Sequence, residues 1–211
     1  MAMSKMKLAS SLTYMRFLVG DDGRLLPGHA SEDLRDFRFV ELDRKSETER
    51  AAGWVEFCNA WGVDFRPGSY EAADNVSAFR LRIDTLRIPT TMLSAHVDRY
   101  VTLRCTLQNR EKLSRREVED VKVEVKRGLR AESLPTMALV PVVWDTEANE
   151  VRVFSGSSAV CTMFCELFEK CFNRQLTPVG LRTILALRGM PPEVIDGLSL
   201  LEPSRFNILQ A

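Results

Sequence analysis

Ser114-Arg115-Arg116-Glu117 is the strongest structural signal in the chain. The Ser hydroxyl can accept from the backbone N–H three residues on, while the Glu at that position reaches back. This is a capping box, and Leu113 and Val118 flank it at the two positions of a hydrophobic staple. A helix therefore starts here, with Val118, Val121, Val125 and Leu129 as its buried stripe and Gly128 near its end. Upstream, Pro89 opens another helical stretch to about Gln108. There Leu93, Val97, Tyr100 or Val101, and Arg104 or Cys105 recur at helical spacing. Only Asn109 to Leu113 separates the two, so they are expected as an antiparallel pair projecting from a sheet.

Strands surround that pair. Leu12 to Val19 reads as a strand closed by Gly20-Asp21-Asp22-Gly23, and Pro27-Gly28 marks a second turn. Asp36 to Leu42 alternates around Phe37 and Phe39, Glu41 to Arg50 is a charged loop, and Gly53-Trp54-Val55 resumes apolar character. A loop rich in Gly, Pro and Asp then runs to Asn75. Ala78 to Asp84 alternates most cleanly, with Phe79, Leu81 and Ile83 on one side and Arg80, Arg82 and Asp84 on the other. Leu139 to Trp144 and Val151 to Phe154 bracket a polar hairpin turn. Ser157 or Ser158 caps a third helix, with Val160, Met163, Phe164, Leu167, Phe168 and Cys171 inward, and Thr183 to Arg188 is a candidate short helix.

Strands and helices in mixed order, without βαβ alternation, predict an α+β fold. The expectation is a mixed or antiparallel sheet, the projecting helical pair and a further packed helix. Three parts make one continuous domain: 1–88 rich in strands, 89–135 the arm, and 136–211 the hairpin, helix and Pro-rich tail.

The longest apolar stretch, Met137 to Trp144, is eight residues with a Pro inside it. A bilayer span needs ~20, so no membrane partner is expected. The first twenty residues lack the apolar core and cleavage site of a secretory signal. Five cysteines without a CxxC pair fit free thiols in a reducing cytosol. His29 and His96 are too far apart in sequence for a zinc site. No metal and no cofactor are expected.

The net charge is zero, with 29 basic and 29 acidic residues. That balance hides an asymmetry. Val76 to Arg130 holds thirteen basic and seven acidic residues, an excess of six that the rest of the chain offsets. At about 100° per residue, Arg115, Arg116, Lys122, Lys126 and Arg130 gather on one flank of the second helix. Glu119 alone interrupts them, and Glu117, Asp120 and Glu124 occupy the other flank. Such a row suits a polyanion, bound without sequence preference and with steep salt sensitivity. The plainer reading is a solvated helix with local pairs such as Glu119 to Lys122.

Several pieces in order carry a resemblance. Gly53-Trp54-Val55, Phe79 to Asp84, Ile88-Pro89, Lys112 to Glu117 running on through Glu124-Val125, Trp144-Asp145, and Ser157-Ser158-Ala159 resemble the bacterial recombination-associated protein RdgC family, over roughly 35–172. The resemblance implies a cytoplasmic, nucleoid-associated protein that binds double-stranded DNA through its phosphate backbone. It also implies a ring-shaped homodimer around the duplex that modulates recombination by occupying DNA. Two features depart from the pattern. The family carries a basic, aromatic loop at the tip of its arm, where this chain has Leu129 to Pro135, with Glu132 in place of Arg and Leu134 in place of Phe. The family also runs longer after the third helix.

The DNA-contact candidates are Arg115, Arg116, Lys122, Lys126 and Arg130, followed by Lys112, Arg80 and Arg82. The two strand arginines either line a DNA channel or face water. Trp54 and Trp144 sit in apolar contexts that predict core rather than base stacking. No catalytic residue is expected. Glu124 and Lys126 lie about 200° apart on a helix and cannot share a site, and no Gly-x-Ser-x-Gly or phosphate loop is present. The alternatives are a protein-interaction module that has lost DNA binding and, less favoured, a metal-dependent exonuclease.

Overall fold

A computed structural model describes residues 13–20 and 30–198. The turns expected at 21–23 and 27–28, His29 and the tail beyond 198 lie outside the described residues. The elements in chain order are β1 (Met15–Val19), α1 (Ala30–Asp36), β2 (Arg50–Glu56), β3 (Glu71–Ala73), β4 (Val76–Thr85), α2 (Thr90–Leu107), α3 (Arg115–Glu132), β5 (Thr136–Asp145), β6 (Glu150–Val153), α4 (Ser158–Phe172), β7 (Leu176–Pro178), α5 (Leu181–Leu187) and α6 (Pro192–Gly197). The hydrogen-bonded strand order is β2-β4-β5-β6-β1-β7, with β3 also on β4, in an antiparallel sheet. The fold is α+β.

The described chain divides into two compact units, 30–143 and 13–20 with 144–198. In the first, β2 and β4 pair antiparallel from Arg50↔Thr85 to Glu56↔Phe79. Trp54 and Phe79 meet edge to face at 5.1 Å, in a core shared with Leu34, Phe65, Leu81 and Leu86. Gly53 is required by close approach. The chain at Arg38 forms a parallel bridge with Trp54, and a Cβ at Gly53 would lie 2.4 Å from the Phe39 Cα. The alternation from Asp36 to Leu42 is thus not a strand; α1 ends at Asp36, and the segment is pinned against β2 where the Phe39 N–H donates to the Trp54 carbonyl and the Trp54 N–H to the Phe37 carbonyl.

In the second unit, β1 pairs antiparallel with β6 and with β7. The aromatic face of α4 supplies the core: Phe17 contacts Phe164, and Trp144 contacts Phe168 and Phe172 at centroid distances of 5.0–5.8 Å. Both Trp54 and Trp144 are buried, as their apolar contexts predict. Ser157 is the N-cap position of α4 but makes no side-chain cap bond, and Asn173 ends the helix in the left-handed region that Asn tolerates. On β1 and β6, Arg16 and Arg152 both donate to the buried Glu150, which holds its carboxyl below the usual carboxylate range against the opposing cost of burial.

Candidate nucleic-acid interface

The start of α3 forms as the sequence predicts. The Glu117 N–H donates to Ser114 Oγ at 3.4 Å, and the Ser114 N–H donates to Glu117 Oε2 at 2.7 Å. Arg110, in the turn between the helices, adds a forked pair to the same carboxylate at 2.7 and 3.1 Å. Those bonds, first from Arg110 and then from Ser114, hold the Glu117 carboxyl at about 2 rather than its ordinary 4.5.

Helices α2 and α3 run antiparallel on a core of Val97, Val121, Val125 and Leu129. Ile88, Leu93, Val101 and Leu113 pack against it. The sequence left Tyr100 and Val101 as alternatives for the inward position; Val101 takes it and Tyr100 is exposed. A pair from Arg104 to Glu124 at 2.5 Å spans the two helices. The turn at the far end of the pair is 108–114. The segment 129–135, which the resemblance places at a tip, lies instead at the root, where α3 leads into β5.

The predicted cations separate into three groups. Lys112, Arg115 and Arg116 are exposed and have no acidic partner among the described residues. Arg127 shares their arc and their exposure. It follows Arg116 by three turns, so helical periodicity placed it there, but the candidate set omitted it. Lys122 and Lys126 are exposed and loosely engaged, with Glu119 at 3.3 Å and Glu49 at 3.7 Å. Pairs of this kind are worth roughly 0–1 kcal/mol and exchange readily for a phosphate.

Arg130 and Arg82 are corrections. Arg130 is buried, and its guanidinium donates to the Thr48 carbonyl at 2.7 Å, because the last turn of α3 abuts the loop before β2. Arg82 is only 2% exposed. It donates from Nε and Nη2 to both Asp84 carboxylate oxygens at 2.9 and 2.7 Å, and from Nη1 to the Ala60 carbonyl at 3.2 Å. The Phe39 and Trp61 rings clamp its guanidinium, each 4.1 Å from centroid to Cζ. The chain at Phe39 and the loop carrying Trp61 cover β4 at this position, so Arg82 neither lines a channel nor meets water. Arg80 is half-buried with its guanidinium 4.8 Å from the Phe57 centroid, so its cation is only partly presented.

Among the described residues, no three His, Cys, Asp or Glu side chains converge to hold a metal ion. The cysteines are free thiols. Burial, seconded by Glu169, pushes Cys165 up to about 11, which keeps it a thiol at neutral pH. No described helix is long and apolar enough to cross a membrane. No model of a known protein family matches the chain, and no curated protein is significantly similar to it.

Proposed function

We propose that the protein binds double-stranded DNA through the phosphate backbone, without sequence preference and without catalysis, using one face of the α2–α3 pair. The observation that supports this is the cluster of Lys112, Arg115 and Arg116 around the first turn of α3, continued by Arg127 on the same arc. The partial positive charge of a helix N-terminus opposes cations in its first turn. Neighbouring cations repel one another, and no described carboxylate neutralises these. Such a cluster gains most from an external polyanion, whose binding releases condensed counterions. Lys122 and Lys126 extend the row once their weak surface pairs are given up. Glu124 is drawn to Arg104 of α2 on the flank beyond Arg127, and Glu119 is the acid that lies within the row.

Occupying DNA in this way would restrict access by other proteins, in the manner of the family that the sequence resembles. The setting that accords with this reading is the cytoplasm, on nucleoid DNA. Equal-length duplexes of unrelated sequence provide the test. Affinities should agree within a few-fold at low salt and fall together by orders of magnitude as salt rises. Binding that survives high salt, or no binding at low salt, would overturn the reading.

A further inference from the structure

The loop 57–61 leaves β2 and folds over the neighbouring strand. The Glu56 N–H closes its base by donating to the Gly62 carbonyl at 2.8 Å, and within it the Trp61 N–H donates to Asn59 Oδ1 at 3.0 Å. Both rings of the loop rest on cations of β4. The Phe57 centroid is 4.8 Å from the Arg80 guanidinium, and the Trp61 centroid 4.1 Å from that of Arg82. The two arginines share one face of β4, opposite Val55 and Gly53 of β2, and so stand about 7 Å apart along the strand.

Their circumstances differ. Arg82 is consumed by Asp84 and the Ala60 carbonyl. Arg80 makes no hydrogen bond and no ion pair among the described residues, and its Nε is buried without an acceptor. A half-buried guanidinium has lost part of its hydration, and the Phe57 ring alone offsets that loss poorly. The partner it lacks is an anion. The Glu56 carboxylate lies at the other end of the loop, where a Cβ on Gly62 would come within 2.4 Å of it, so the Arg80 end is the one that receives negative charge.

Trp61 supplies a second element. It is 62% exposed, whereas Trp54 and Trp144 are buried. Arg82 backs one side of the indole and Asn59 holds its backbone, so an aromatic surface stands fixed in water. Nucleobases stack on such surfaces, and a ring fixed in advance needs little further ordering when it binds. Bases within a duplex are stacked on one another and do not reach it.

We propose that Trp61 and Arg80 form a subsite for one unpaired nucleotide, its base on the indole and its phosphate on the guanidinium. The ligand class is a nucleoside phosphate, free or as one unit of a single strand. The subsite differs from the α3 row in reading the face of a base as well as a phosphate. It stands independently of duplex binding, because it is measured without a duplex.

Tryptophan fluorescence of the full chain reads the subsite directly, since Trp61 is the exposed indole of the three. Deoxyadenosine monophosphate should quench it saturably. Deoxyadenosine, which lacks the phosphate, should bind roughly ten-fold more weakly, and Arg80→Gln should erase that difference. Arg115→Ala/Arg116→Ala should leave the mononucleotide quenching unchanged, which separates a failure here from a failure of duplex binding. For the Trp61 variants, anisotropy of a labelled octathymidylate reports affinity. Trp61→Leu keeps Arg82 covered but offers no ring, and should weaken binding roughly ten-fold; Trp61→Phe should stay within a few-fold of wild type. Mononucleotide bound as tightly as octathymidylate assigns the subsite to free nucleotides, and tighter octathymidylate assigns it to single strands. No saturable quenching, equal affinity for deoxyadenosine and its monophosphate, or a Trp61→Leu chain that binds like wild type would overturn the proposal.

Discussion

The arginines of β4 and those at the start of α3 have the same chemistry and opposite circumstances. Arg82 lies between two aromatic rings, holds a buried carboxylate in a forked pair and reaches a backbone carbonyl. Arg115 and Arg116, on a helix whose apolar stripe packs on α2 and on Ile88 and Leu113 beside it, have no carboxylate or ring partner among the described residues. In both places the sequence shows basic residues on the polar side of an amphipathic pattern. What separates them is cover. Chain remote in sequence closes over β4, and none of the described residues closes over the outer face of α3. A cation that the fold has consumed contributes stability, while one left over is available for binding.

That contrast can be broken most forcefully at Asp84. Asp84→Ala strands the Arg82 charge in the interior and should cost about 3–5 kcal/mol of unfolding free energy, read from chemical denaturation. Replacing Arg82 and Asp84 together by Leu should recover much of it. A loss under 1 kcal/mol for Asp84→Ala would show that Arg82 reaches solvent.

Arg130→Ala comes next. It removes one charged hydrogen bond and a buried stem, and should cost about 1–3 kcal/mol. That is the behaviour of a consumed cation even though the residue lies on α3. A null effect would return Arg130 to the binding row.

Ser114→Ala removes half of the capping box and should cost about 1 kcal/mol. The same box predicts a pH dependence. Because the folded Glu117 carboxyl titrates near 2 instead of 4.5, its contribution is complete above about 4.5 and disappears as pH falls toward 2. Helical signal from the α2–α3 pair should therefore fade within that window, and Glu117→Gln should flatten the fade. Smallest in stability are Arg115→Ala and Arg116→Ala, each within about 0.5 kcal/mol of wild type.

Local signals were the legible ones. The Ser114 box involves residues three apart, so it was readable without knowledge of the tertiary fold, as was the stripe Val121, Val125, Leu129. The alternation of Phe79, Leu81 and Ile83 located β4 for the same reason. The fate of Arg82 was not legible, because Phe39 and Trp61 come to it from segments 43 and 21 positions earlier in the sequence. Arg130 failed similarly. Helical periodicity put it with the free cations, and its partner is the Thr48 carbonyl, 82 residues away. The three-residue β3 and the six-residue α6 are too short to show a period at all. Of the candidate interface, the arc was readable; which cations the rest of the fold had already engaged was not.

The salt dependence of duplex binding, compared between wild type and Arg115→Ala/Arg116→Ala, tests the central claim most directly. With Lys112, Arg115, Arg116, Lys122, Lys126 and Arg127 each neutralising a phosphate, log affinity against log salt should fall with a slope of about −5.4 per chain. The double variant should lower that magnitude by about 2, at unchanged thermal stability. An identical slope in both proteins would contradict the account.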